Sequence, residues 1–207
     1  MGLVKGDLNL KIIFLGDIVG RPGRKLVKAL LPELVQQYAP DLTVVNGENA
    51  AGGFGLTMDV ANELLHSGVD VITLGNHTWK HREINQVFDR YKQVLRPANY
   101  PPGTPGESAG VFVAKNGYPV GVLSLMGQVY LEPALDCPFR VAKEQVSRLK
   151  EKTPYVLVDF HAEATSEKIA LGNYLDGMVS AVLGTHTHVT TADQRILPGG
   201  TGYITDV

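Results

Sequence analysis

Residues 69–77 read Val-Asp-Val-Ile-Thr-Leu-Gly-Asn-His. The first six are mainly apolar and β-branched, the composition of a short buried strand. A glycine then releases the chain, and an amide and an imidazole follow at once. The same order recurs elsewhere. Lys11–Gly16 (KIIFLG) leads into Asp17, and Leu42–Asn46 (LTVVN) with Gly47 leads into Glu48 and Asn49. Tyr155–Phe160 (YVLVDF) leads into His161, and Met178–Leu183 (MVSAVL) with Gly184-Thr185 leads into His186 and His188.

Helical spacing fills the intervals. Arg24–Tyr38 is an amphipathic run in which Pro32 is placed to kink or divide a helix. Thr57–Ser67 predicts a helix stopped by Gly68, and His81–Tyr91 another. After the Pro- and Gly-rich stretch 97–110 the rhythm changes. Val111–Lys115 and Pro119–Leu125 flank Asn116-Gly117, a tight-hairpin signal. Val141–Lys152 and Ser166–Leu175 predict two more helices, and Gln194–Val207, with Pro198-Gly199-Gly200 at its middle, a final hairpin. Early βαβ units joined to a hairpin-rich half predict an α/β layered fold, with a mixed sheet or two sheets flanked by helices.

Composition bounds the function. With 207 residues, 44% hydrophobic and 19% charged, the chain supports one substantial core, so a single domain is expected. A net charge of −2 argues against a broad nucleic-acid-binding face. One cysteine, Cys137, permits no intrachain disulfide and is expected to be a semi-buried packing residue. No apolar run approaches the roughly 20 residues of a membrane span. Residues 1–10 lack the apolar centre of a secretory signal and read as a leader or tag; the expected location is cytoplasmic. No Gly-Lys-Ser/Thr follows glycines 52, 53 and 55, and no GxGxxG opens the first helix, which disfavours nucleotide triphosphatases and dinucleotide enzymes.

The polar clusters all fall at the carboxyl ends of predicted strands, the edge where open α/β sheets bind ligands. Taken singly, each has a bland reading: Asp17 a turn residue, Asn49 a helix cap, His161 a satisfied core histidine. Five such coincidences on one edge favour a metal site. Four of the six histidines lie there; His66 and His81 fall on helices. In an extended chain, His186 and His188 point the same way, and the preceding glycines 16, 47, 75 and 184 suit a backbone crowding a ligand. Carboxylate, amide and imidazole without thiolate suit Mn, Fe or Zn. The candidate set is too large for one ion and fits two.

These residues carry a family resemblance. Gly16-Asp17, Gly47-Glu48-Asn49, Gly75-Asn76-His77, His161 and Gly184-Thr185-His186-Thr187-His188 resemble the calcineurin-like metallophosphoesterases. GDIVGRPGR (16–24), NGENAAGGFG (46–55), LGNHTW (74–79), DFHAEATSEK (159–168) and YITDV (203–207) look most like their 2′,3′-cyclic-nucleotide 2′-phosphodiesterase branch. Val19 stands where most of the superfamily has a histidine, and Glu48-Asn49 where an aspartate is usual; both suit this branch, with Asn49 in the role of the missing histidine. The branch normally runs several dozen residues past YITDV, so residues 11–207 are expected to be a metallophosphoesterase domain lacking its C-terminal part.

The resemblance implies a mechanism. Asp17, Glu48, Asn49 and His188 would hold one divalent ion; a bridging Glu48 with Asn76, His161 and His186 would hold the other. A hydroxide bridging the metals would attack phosphorus, with His77 as general acid, opening a 2′,3′-cyclic nucleotide to the 3′-monophosphate; the bland role for His77 is to orient Asn76. Arg21 is a candidate phosphate contact, and Phe54 and Trp79 candidate base-stacking rings. RNA ends are a further partner class, and a homo-oligomer is compatible. The rivals are a phosphatase or phosphodiesterase for other esters, and a regulatory metal-binding protein with weak turnover.

Overall fold

Alternation within the buried strands sorts their side chains between separate cores. The computed structural model describes residues 10–133 and 135–207. The expected leader lies outside these residues apart from Leu10, which packs on the apolar layer between the sheets. β1 (Ile12–Leu15), β2 (Leu42–Asn46), β3 (Val71–Thr73) and β4 (Val94–Leu95) form a parallel sheet in sequence order. Its helices are α1 (Gly20–Tyr38), α2 (Met58–His66) and α3 (Ile84–Arg90). β5 (Ala109–Val113), β6 (Pro119–Met126), β7 (Val156–His161), β8 (Ala181–Thr185), β9 (Arg195–Ile196) and β10 (Gly202–Ile204) form a mixed sheet of order β5-β6-β7-β8-β10-β9. α4 (Pro138–Lys150) and α5 (Thr165–Tyr174) cover it.

Val45 and Ile72 face the helices of the first sheet, among Val27, Leu31 and Leu64. Val158 and Phe160 face α4 and α5, among Val146 and Leu171. Leu42, Val44 and Val71 face Val120, Val122 and Leu157 across the gap between sheets. The result is four layers, helix–sheet–sheet–helix, with strands buried on both faces. Among the described residues no helix is long and apolar enough to cross a membrane.

Both hairpins form as expected: β5 and β6 pair antiparallel, as do β9 and β10. Other expectations need adjustment. α1 begins at Gly20, ahead of the expected Arg24, because Gly20 enters it at φ 53° and donates its N–H to Asn49 O at 2.8 Å. Pro32 does not divide α1; it lies on the solvent side, where water reaches the Lys28 carbonyl that the proline cannot serve. β4 was absent from the expected pattern, since two residues show no periodicity. Cys137 is exposed rather than semi-buried and ends the loop before α4.

Candidate metal centre

Each polar cluster begins where a strand stops pairing. Asp17 lies just past β1, Glu48 and Asn49 past β2, Asn76 past β3, and His186 past β8; His161 is itself the last residue of β7. The two sheets are tied together beneath these ends. Asn46 Nδ2 donates to Asp159 Oδ2 at 2.9 Å, Thr73 Oγ1 donates to the same carboxylate, and Thr185 Oγ1 donates to Asp159 Oδ1 at 2.8 Å. All four are fully buried. His161 Nδ1 rests 2.9 Å from Thr185 Oγ1, which aims its Nε2 outward.

Three more donors converge on His161 Nε2. Asn76 Oδ1 is 3.0 Å away, His186 Nδ1 3.1 Å and Glu48 Oε2 3.2 Å. Donor atoms around one tetrahedral ion with bonds near 2.0–2.1 Å stand about 3.3 Å apart. The arrangement fits. Among the described residues, Glu48, His161 and His186 are the one group of three or more His, Cys, Asp or Glu side chains whose ligand atoms converge closely enough for an ion. The other candidates lie beside it: the Asn49 Nδ2 amide donates to His188 Nε2 at 2.9 Å, His188 Nε2 is 3.7 Å from Asp17 Oδ1, and Asn49 Oδ1, the atom that could serve a metal, faces His77. Asp17 Oδ1 is buried with no hydrogen-bond partner among the described residues, and a carboxylate oxygen in that position fits a metal ligand. Its Oδ2 accepts the His186 N–H at 2.9 Å.

The two histidines reach these sets differently from the expectation. They do not project from an extended strand: β8 ends at Thr185, and His186 (φ 106°) and His188 (φ 58°) both take positive φ. The turn sends one ring toward His161 and the other toward Asp17 and Asn49. Positive φ is uncommon for residues other than glycine, and φ 106° at His186 lies beyond the left-handed region that histidine tolerates best; strain of this kind gathers at functional sites. The glycines also divide. A Cβ on Gly75 would meet Glu48 Oε2 at 2.6 Å and clash with the His161 ring, so Gly75 does crowd the site. Gly16, Gly47 and Gly184 instead abut Val207, Ile72 and Thr205, where the need is chain packing.

His77 stands beside both sets. Its Nδ1 is 3.1 Å from Glu48 Oε1 and 2.8 Å from Asn49 Oδ1; both are acceptors, so Nδ1 carries the proton. Its Nε2 is 3.4 Å from Asn76 Nδ2, and its backbone N–H donates to Glu48 Oε2 at 3.1 Å. The Phe54 ring, 57% exposed, meets the His77 ring edge-on at 5.0 Å. Trp79 packs edge-on against Phe88 and Tyr100 in an aromatic cluster. Arg21 is exposed in the first turn of α1, whereas Arg24 donates to Glu63 Oε2 and Ala50 O, holding the loop that carries Asn49.

Electrostatics follow from burial and proximity. Burial opposes charge on Glu48, but the His161 charge and its hydrogen bonds override this and hold the carboxyl well below its ordinary range. Burial alone would depress His161; the Glu48 carboxylate, with Asp17 and Asp159 nearby, raises it to about 9. Asp159 is pushed up to about 6 by burial, against the pull of Thr73, His161, Thr185 and Asn46. Burial and the His161 charge lower His186.

Sequence reasoning missed Glu163. Its Oε2 lies 2.9 Å from His186 Nε2, so the imidazole is held by a carboxylate on one nitrogen and offers Nδ1 to the site on the other. The signal was present as an acid two residues after His161. It missed the seam of Asn46, Thr73, Asp159 and Thr185 as well, although a carboxylate within YVLVDF was a visible anomaly in an otherwise apolar strand.

Comparison with known proteins agrees with this geometry. Residues 13–207 match the family described as YmdB-like protein. A Bacillus subtilis protein named 2′,3′-cyclic-nucleotide 2′-phosphodiesterase is 53% identical, over 96% of this chain and 74% of its own length. A crystal structure of a hypothetical protein from Thermus thermophilus superposes with a TM-score of 0.89 at 46% identity, covering 96% of this chain and 76% of that one. A structure described as a novel phosphatase from Mycoplasma pneumoniae gives 0.88 at 40% identity, covering 96% and 71%. At this level of identity and coverage shared descent is the only reading. The chain belongs to the YmdB-like family, within the calcineurin-like metallophosphoesterases.

Proposed function

We propose that this chain is a metal-dependent phosphodiesterase that opens 2′,3′-cyclic nucleotides to 3′-monophosphates. The observation that carries the reading is the convergence of Asn76 Oδ1, His186 Nδ1 and Glu48 Oε2 on His161 Nε2, beside Asp17 Oδ1, which is unpartnered among the described residues. Glu48, Asn76, His161 and His186 would hold one divalent ion, and Asp17, Asn49, His188 and Glu48 a second, with Fe, Mn or Zn suited to these donors. When bound, the ions supply Lewis-acid charge and a water of lowered pKa.

The protein's own groups do the rest. Water adds to phosphorus, the P–O2′ bond breaks, and O2′ takes a proton. Glu48 and Asn49 fix His77 by its Nδ1–H, so that Nε2 of the doubly protonated ring would be the atom that delivers this proton, leaving the neutral Nδ1–H imidazole behind. Phe54, exposed against His77, is placed to meet the base, and Arg21 is the phosphate contact to test first. The same groups serve the cyclic phosphate at an RNA end. Exposed Cys137 without a disulfide partner suits a cytoplasmic setting.

The test is hydrolysis of 2′,3′-cyclic AMP by Mn²⁺-loaded protein, with chromatographic identification of the product. Accumulation of 3′-AMP is expected. Release of 2′-AMP would place the proton donor on the opposite side, and turnover of monoesters alone would favour a phosphatase, the description carried by the Mycoplasma pneumoniae structure.

A further inference from the structure

One buried ion pair lies outside the groups used so far. Lys168 of α5 and Asp206, beyond β10, are each 1% exposed, and Lys168 Nζ donates to Asp206 Oδ2. Such a pair is weak grounds for stability, because desolvating two charges offsets much of their attraction. What it touches is more informative. Thr187, the residue between His186 and His188, donates its Oγ1 to the same Asp206 Oδ2 at 2.6 Å. The Asp206 backbone grips the far end of the turn: its N–H donates to Thr191 Oγ1 at 3.0 Å, and its carbonyl accepts the Thr191 N–H at 3.0 Å. Gly184 makes the approach possible, since a Cβ there would stand 3.0 Å from Lys168 Cδ and run into the Thr205 carbonyl.

The turn from 186 to 191 therefore hangs on one aspartate at both ends. Within it, His186 and His188 hold positive φ, a conformation that persists only where the surroundings over-determine it. The His186 N–H on Asp17 supplies one restraint. Glu163 on the His186 ring and Asn49 on the His188 ring supply two more, and Thr187 on Asp206, its Oγ1 also accepting the Val189 N–H at 3.3 Å, supplies the one that sits between the two rings.

We propose that Lys168 and Asp206 form a positioning pair for the metal centre: Lys168 fixes the Asp206 carboxylate, and Asp206 holds Thr187 so that His186 and His188 turn toward their separate donor sets. The functional meaning rests on the metal-centre reading; the geometry does not. Thr187→Val and Thr187→Ser separate the hydroxyl from the side-chain volume without stranding a buried charge. Two measurements apply to the folded full chain. In metal-free protein, nuclear Overhauser contact between the His161 and His186 rings, 4.8 Å apart at their centroids, reports the turn. Calorimetric titration with Mn²⁺ reports the site. Thr187→Val is expected to lose the ring contact and to bind Mn²⁺ about 10–100-fold more weakly, the usual effect of losing an outer partner of a ligand; Thr187→Ser should restore both. An intact ring contact in Thr187→Val, or equal impairment in Thr187→Ser, would overturn the proposal. Failure of the unaltered protein to bind Mn²⁺ would sink the metal-centre reading instead, leaving the ring contact to decide this one.

Discussion

His77 touches the donor sets without being one of their converging atoms. Its Nδ1 is committed to Glu48 and Asn49, so if His77 acts as proposed, removing the ring takes away the proton donor at Nε2 while the candidate ligand side chains remain. His77→Ala should keep its Mn²⁺ stoichiometry while hydrolysis of 2′,3′-cyclic AMP falls about 10²–10⁴-fold. A p-nitrophenyl ester, whose leaving group needs no proton, should lose far less. Equal losses on both substrates would instead assign His77 to holding Asn49 or Glu48. Glu163 makes a complementary case. It holds His186 by Nε2 and so keeps the Nδ1 lone pair toward the site. Glu163→Ala should weaken Mn²⁺ binding about 10–100-fold, and Glu163→Gln, whose amide oxygen still accepts that N–H, should fall between. Titration calorimetry on the two variants checks the order.

At the scale of strands and turns, two glycines that look alike in sequence make different demands. The Cβ of Gly75→Ala would press on the buried Glu48 carboxylate and His161 ring, side chains of the site rather than backbone. The variant should fold and lose metal affinity. The Cβ of Gly184→Ala would meet the Thr205 carbonyl, which is backbone just past β10, parallel partner of β8. It should be destabilised by about 1–3 kcal/mol or more, as overpacking at a rigid neighbour is. Thermal unfolding with metal titration separates the pair. This contrast marks the limit of what was legible. Strand-to-polar order, with a glycine between in every case but His161, put each candidate ligand at the carboxyl end of a strand, where the structure also has it, because strand periodicity and breaker residues are local properties. Whether a glycine meets a ligand or a neighbouring strand depends on the other sheet, and no local window holds that information. The same reason hid Glu163, which matters only because a turn some twenty residues later brings His186 back to it. It also hid the positive φ of that turn: an alternating THTH pattern looks extended until the strand is seen to end at Thr185.

For the whole molecule, protons and metal compete for the same buried ring. In the metal-free protein His161 titrates near 9, above its ordinary 6.5, so its charge stabilises the fold fully below pH 6.5 and this contribution disappears as pH rises through 9. Asp159 acts in the same direction: with its carboxyl raised from 3.8 to about 6, the protonated form favours the fold, and that contribution fades between those values. Glu48 runs oppositely. Its depressed carboxyl stabilises above about pH 4.5 and the benefit is lost as pH falls further. From these three groups metal-free protein should be most stable near pH 4, lose the Asp159 contribution by about pH 6, and weaken again as pH rises from 6.5 through 9. A metal ion needs His161 neutral, so its uptake near pH 7 must release a proton and its affinity must rise with pH until the ring has titrated. At a free Mn²⁺ concentration 100 times Kd, binding adds about 2.7 kcal/mol, which for a chain of this size raises the thermal midpoint by about 5–11 °C. At one fixed Mn²⁺ concentration the rise should be larger at pH 8.5 than at pH 6, because Kd falls as His161 loses its proton, and a chelator should abolish it. Calorimetry at pH 7.5 in two buffers of different ionisation enthalpy would count the released proton directly. A midpoint shift independent of pH, with no proton released, would mean that the ion sits elsewhere than on His161.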